Sequence, residues 1–206
     1  MPEFKLLIDR LTDRPQRFDF EAAPGWWTDH AGSESPGDEG VVDRPFHFTL
    51  SASRLGEDVL IEGSMSGGLV AECSRCTRRY AHALRDTFRL VLKPLKDDGR
   101  SGTRAHPGDI DPEGERALAE NGVCLGDDLE AGWFRGPVIF LDDLFAEVVA
   151  TALPIQPLCD EACPGLCPRC GMERRRVEGD QAAAVCTCED ERVESPFAVL
   201  AGWKQK

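Results

Sequence analysis

The sequence predicts a mainly β, α+β fold: an antiparallel meander or partly open barrel, one covering helix, and a zinc-ribbon-like C-terminal segment. Three observations carry this. Apolar residues alternate with polar ones over residues 46–53, 58–73 and 80–95, the period of strands buried on one face. One stretch near residue 145 switches to helical spacing. Eight of the nine cysteines fall into close pairs, six of them after residue 158.

FKLLIDRL, residues 4–11, reads as a strand or a short helix. RFDFEAAPGWWTDHAGSESPGDEGVVDRP, residues 17–45, is rich in Gly, Pro, Ser and acids and reads mostly as loop. In FHFTLSAS, Phe46, Phe48 and Leu50 share one side. DVLIEGSMSGGLVAEC continues the pattern, with a bend expected at Gly67-Gly68. Tyr80, His82, Leu84, Phe88, Leu90 and Leu92 form the next alternating set. These segments predict three or four antiparallel strands, with CSRC (73–76) at the turn between two of them. Residues 97–117 read as loosely held or flexible, being polar and rich in Gly and Pro.

LDDLFAEVVATALP places Leu141, Leu144, Phe145, Val148, Val149 and Ala152 at helical spacing. Asp142 and Asp143 suit the dipole of its first turn, and Pro154 ends it. Two units follow: a β domain with its covering helix over 1–156, and a cysteine-rich segment with a tail helix over 157–206, packed on the first.

The chain has 206 residues and a net charge of −13, which argues against non-specific nucleic-acid binding by the whole surface. The charge is uneven. Residues 97–147 carry 13 acids and 4 bases, whereas 46–96 carry 5 acids and 8 bases. No apolar run is long enough to span a bilayer, and the N-terminus lacks a signal peptide's apolar core. A cytoplasmic protein is therefore expected, and in that reducing setting clustered cysteines favour metal ligation over disulfides.

The pairs are Cys73-x-x-Cys76, Cys159-x3-Cys163, Cys167-x-x-Cys170 and Cys186-x-Cys188, with Cys124 left alone. Eight ligands suit two closed tetrahedral sites, each holding a structural zinc ion. Locality favours Cys167, Cys170, Cys186 and Cys188 as one set, which leaves Cys73, Cys76, Cys159 and Cys163 as the other. The alternative groups Cys159, Cys163, Cys167 and Cys170, and pairs Cys73 and Cys76 with Cys186 and Cys188. Gly171 after the second cysteine of CPRCG permits a left-handed turn. An all-cysteine set leaves no open position for catalytic water, and neither Cys-x-x-Cys lies at a strand-to-helix junction of a redox βαβ unit. Ligand count alone does not separate zinc from an iron–sulfur cluster.

Arginines flank both knuckles: Arg75, Arg78 and Arg79 at the first, and Arg169, Arg174, Arg175 and Arg176 at the second. They offset the negative charge of metal-bound thiolates, or they form a phosphate-binding patch for structured RNA, and the two roles are compatible. In ESPFAVLAGWKQK, Ser195 caps a short helix that places Phe197, Leu200 and Trp203 near one face. That face packs on its own domain or docks on a partner. Asp142-Asp143 and Asp127-Asp128 read as solvated or capping acids. Trp26-Trp27 and Trp133-Phe134 read as core or loop anchors. No P-loop, dinucleotide fingerprint or His-Glu-x-x-His motif is present, and no catalytic residue or small-molecule substrate is expected.

Taken together, ECSRC at a strand end, the helix running into ALPIQPLC, CDEACPGLCPRCG and the terminal SPFAVLAGWK resemble the YceD-like family of large-subunit ribosomal RNA accumulation proteins. The resemblance covers most of residues 46–206, and the 97–135 stretch departs from it. It implies a non-enzymatic factor in 23S rRNA accumulation or processing, binding rRNA precursor or a large-subunit ribosomal protein. It also implies that Cys73, Cys76, Cys159 and Cys163 form one unit and that the set from Cys167 to Cys188 is an optional addition. A thiol redox or zinc-responsive regulator is the alternative reading.

Overall fold

A computed structural model describes residues 4–23, 25–30, 41–95, 110–126, 130–174, 186 and 188. Three long strands dominate. They are β3 (Val42–Leu55), β4 (Asp58–Glu72) and β5 (Arg79–Pro94). β3 and β4 join through Gly56-Glu57, a two-residue hairpin loop whose first position needs the left-handed φ of +69° that glycine supplies.

The expected alternation sets the register. Phe46, Phe48, Leu50 and Ala52 of β3 and Val59, Ile61, Met65 and Leu69 of β4 are buried on one face, with Leu84, Leu90 and Leu92 of β5 beside them. β4 runs straight through the two glycines where a bend was expected. The irregularity lies opposite, in β3, whose register against β4 shifts at Val42/Arg44 and at Arg44/His47. Gly67 serves packing instead: a Cβ there would run into the Phe46 ring. Gly67→Val is expected to destabilise the fold by about 1–3 kcal/mol through overpacking, read from the midpoint of a urea melt.

Part of the stretch read as loop is structured. β2 (Gln16–Glu21) pairs antiparallel with β3 in a register that sets Phe18 opposite Leu50 and Phe20 opposite Phe48. The short helix α1 (Trp26–His30) buries Trp26 and Trp27, so both tryptophans are core anchors. The N-terminal segment is both of the things it resembled. β1 (Lys5–Leu7) is followed by a single 3-10 turn, Ile8–Arg10.

The stretch 97–117 is also corrected in part. Its last residues enter helix α2 (Pro112–Asn121); residues 97–109 lie outside the described residues. The helix has full end signals. The Asp111 carboxylate accepts from the Gly114 N–H at 2.7 Å, Pro112 opens the first turn, and Gly122 closes the helix at φ +71°. The polarity of the run masked those signals.

Two short strands, β6 (Val123–Leu125) and β7 (Ala131–Phe134), complete an open six-stranded sheet of order β2-β3-β4-β5-β7-β6. All its pairings are antiparallel except β5 with β7, which is parallel. β8 (Val138–Phe140) pairs with β1. It leads into α3 (Asp142–Ala152), which covers the apolar face as expected. There the Phe145 ring stacks on Phe48 with centroids 4.0 Å apart.

Asp142 is not the solvated first-turn acid that its position suggests. It is 4% exposed. Its carboxylate accepts from the Phe4 backbone N–H at 3.0 Å and from Trp26 Nε1–H at 3.2 Å, so one side chain ties the N-terminal strand and α1 to α3. No helix among the described residues is long and apolar enough to cross a membrane.

Candidate metal centres

The first centre begins at the tip of the β4–β5 hairpin. Between the strands the chain needs a tight reversal, and CSRCTR makes it. The Cys73 N–H donates to the Arg78 carbonyl at 2.9 Å and the Thr77 N–H to the Cys73 carbonyl at 2.8 Å. Thr77 sits at φ +58°, left-handed, the sole non-glycine residue there among those described. The second knuckle repeats the geometry. The Gly171 N–H donates to the Cys167 carbonyl at 2.8 Å, and Gly171 has φ +71°. The residue after the second cysteine thus takes the same left-handed turn in both knuckles, with glycine in one and a threonine, disfavoured by its β-branch, in the other.

The fold then assembles two groups. Cys73, Cys76, Cys159 and Cys163 lie together, as do Cys167, Cys170, Cys186 and Cys188, with the sulfurs in each group within 4.8 Å of one another. This grouping follows locality; the alternative, with Cys163 and Cys167 in one set, is not formed. The first group is reached by folding the chain back after α3. The Ser74 N–H donates to the Pro157 carbonyl at 2.9 Å, which lays residues 157–163 against the hairpin tip.

The spacing tests the fit of an ion. Four sulfurs placed tetrahedrally, about 2.3 Å from a metal, lie about 3.8 Å from one another. Cys73 and Cys163 are 3.8 Å apart, Cys76 and Cys159 3.8 Å, and Cys170 and Cys186 3.6 Å. Both groups therefore could hold a single tetrahedral ion. Thiolates ligating separate irons of a cluster would spread more widely.

The electrostatics agree. Backbone N–H groups, that of Cys159 foremost, hold the Cys73 thiol down at about 6. Burial pushes Cys76 up to about 12. In the second group the Cys170 and Arg169 amides hold Cys167 at about 6, while the neighbouring Cys167 sulfur pushes Cys186 up to about 12. Four thiols this close cannot all ionise by themselves; a central cation removes the conflict.

The centres differ in exposure. Cys73, Cys76 and Cys163 are buried and Cys159 half-buried. In the second group Cys167 is buried, Cys186 and Cys188 are half-buried and Cys170 is exposed.

Two of the arginines flanking the first knuckle make contacts at the centres, the first of the two compatible roles expected for them. Arg75 Nη1 donates to the Glu161 and Cys163 carbonyls at 3.0 and 3.1 Å. Arg78 Nη2 donates to Cys159 Sγ at 3.5 Å, and its Nη1 lies 3.9 Å from Glu173 Oε1. The thiolate bond holds the Arg78 guanidinium still more firmly charged. Arg79 and Arg169 are exposed and Arg174 is half-buried. Arg175, Arg176, Phe197, Leu200 and Trp203 lie outside the described residues. Sequence reasoning missed Glu173 and Pro157, whose roles arise from contacts with residues some 80 to 95 positions away.

Cys124 belongs to neither centre. It is packed with Leu95, Ile110 and Leu118, and burial pushes its thiol up. At neutral pH it is therefore protonated. Native protein is expected to alkylate at Cys124 far more slowly than unfolded protein, checked by mass spectrometry after timed iodoacetamide labelling.

A family model described as "Large ribosomal RNA subunit accumulation protein YceD" matches residues 61–204, which include both cysteine groups. An uncharacterized protein of Mycobacterium leprae is 27% identical over 128 residues, covering 62% of this chain and 48% of the relative. Uncharacterized proteins of Mycobacterium bovis and Mycobacterium tuberculosis are each 28% identical over 123 residues, covering 60% of this chain and 48% of theirs. The chain spans about half the length of the curated relatives it matches. No solved structure matches it.

Proposed function

The chain belongs to the YceD family of large ribosomal RNA subunit accumulation proteins, and from that footing we propose that it is a non-enzymatic assembly factor. It supports accumulation of 23S rRNA in the cytoplasm by binding rRNA precursor or a protein of the large subunit. The family match over residues 61–204, which take in most of β4, all of β5, α3 and both cysteine groups, carries this reading. The eight cysteines would hold two zinc ions, each closing four thiolates into one structural cross-link. Zinc suits the all-sulfur donor sets and their near-3.8 Å spacing.

A surface for rRNA phosphates lies on the open side of the sheet. Along β5 the even-numbered positions lie on the core side, buried or half-buried except the exposed Asp86. The exposed odd-numbered positions include Arg79, Arg85, Arg89 and Lys93 and no acid. Ala81, Ala83 and Thr87 between them leave the strand's outer face flat. Arg89 pairs with Glu62 at 3.3 Å, a contact between exposed groups that costs little to exchange for phosphate. The same charges deter strand pairing along β5, whose first part has no second neighbour among the described residues.

Depletion of the protein is expected to lower mature 23S rRNA relative to 16S rRNA, and in-cell crosslinking to recover 23S precursor or a large-subunit protein. Unchanged 23S levels on depletion would overturn the proposal.

A further inference from the structure

Contacts between the centres are directional. The inner centre, on Cys73, Cys76, Cys159 and Cys163, closes with the hairpin tip and the segment after α3 and takes no ligand from beyond Cys163. The outer centre is laid upon it. The Leu166 N–H donates to the Arg75 carbonyl at 3.1 Å, inside the inner knuckle. Gly165 lies so close to that carbonyl that an added Cβ would stand 3.0 Å from it. The Arg174 N–H donates to the Gly165 carbonyl at 3.0 Å, and Leu166 bridges to Glu173 around the outer knuckle. Cys167 to Cys170 are thus carried on a short ladder whose base is the inner knuckle.

Among the described residues the Arg78 side chain links the inner centre to the ladder that carries the outer one. The Arg78 guanidinium bonds the inner ligand Cys159 through Nη2 and faces Glu173 of the outer ladder through Nη1. The planar fork of arginine allows both contacts at once; the single ammonium of lysine would not span them.

We infer that the two centres are energetically coupled, that the outer gives up its ion first, and that Arg78 is the positioning residue carrying the coupling. The inference rests on both groups binding a metal. Burial of three of its four ligands makes the inner centre the tighter one, and the exposed Cys170 opens the outer one to competing chelators. Linkage is reciprocal, so each bound ion raises the affinity of the other centre by the same factor. When metal is scarce the outer centre empties while the sheet and inner clamp persist.

Cobalt(II) is the probe, read by its thiolate charge-transfer absorption and by stoichiometry, on the full chain. Wild type should bind two ions and release them to a chelator in two phases. Cys170→Ser should remove the fast phase and leave the slow one. Arg78→Ala keeps all eight ligands and should still bind two ions, but with the affinity of the outer centre lowered about five- to tenfold, the low end of typical coupling. Arg78→Lys should stay near the Ala variant, and Glu173→Gln should resemble it. Two ions bound with outer affinity unchanged in Arg78→Ala would overturn the coupling while leaving the metal reading intact. Failure of wild type to bind cobalt would overturn both. Slow-phase loss in Cys170→Ser would overturn the order of release.

Discussion

Replacing Cys163 with serine is expected to break up the inner four-cysteine group, and so to cost one of the two metal ions proposed above and the attachment of the segment after α3. Cys163 is 3% exposed and lies 3.8 Å from Cys73, at the junction of the hairpin tip and the returning chain. A structural zinc site contributes on the order of 10–16 kcal/mol of binding free energy at neutral pH, and that energy is folding energy for the parts it joins. The local hydrogen bonds left behind, Ser74 to Pro157 and Leu166 to Arg75, contribute only about 1 kcal/mol each. The sheet has its own apolar core under α3 and should survive. Metal analysis should therefore give one ion per chain in place of two, with rapid proteolysis in residues 157–166, ahead of the outer ligands, and unchanged strand content by circular dichroism. Two retained ions would rule out Cys163 as a ligand. Acidification should release both ions, since protons compete with metal for the thiolates.

Asp142→Ala should produce the largest loss of stability without touching a cysteine. The carboxylate satisfies two buried donors, the Phe4 N–H and the Trp26 indole N–H. Removing it strands both, at about 1–3 kcal/mol each, for a total of roughly 2–6 kcal/mol. Asp142→Asn keeps an acceptor oxygen and should lose less. Urea unfolding followed by tryptophan fluorescence measures the difference. Faster amide exchange at Phe4 in the alanine variant would locate the loss, and equal stability of Asp142→Ala and wild type would refute the latch.

Much of the fold was legible because its main strands are buried on one face. That burial imposes a period of two, and Phe46, Phe48 and Leu50 or Leu84, Leu90 and Leu92 display it openly. α2 was passed over because its ten residues are mostly polar and bury little, although Asp111, Pro112 and Gly122 mark both its ends. β2 was passed over because six residues with two phenylalanines sit beside a Gly- and Pro-rich run. The parallel pairing of β5 with β7 had no local signature, as the two strands are separated by the whole acidic insert.

The cysteine centres divide in the same way. Sequence alone marked the cysteine pairs and the left-handed turn at Gly171; locality favoured one grouping of the eight cysteines but left the other open, and the fold selected the first. Only the tertiary structure decided what the charged neighbours do. Arg75 and Arg78 flank a knuckle in sequence, and the fold gives their guanidinium groups carbonyls and a thiolate brought from some 80 residues away as partners. Asp142 stands in a helix's first turn as a capping acid would, yet it is buried under a strand from the other end of the chain. A charged side chain takes its partner from whatever the fold sets beside it, and that proximity is not written in its neighbours along the chain.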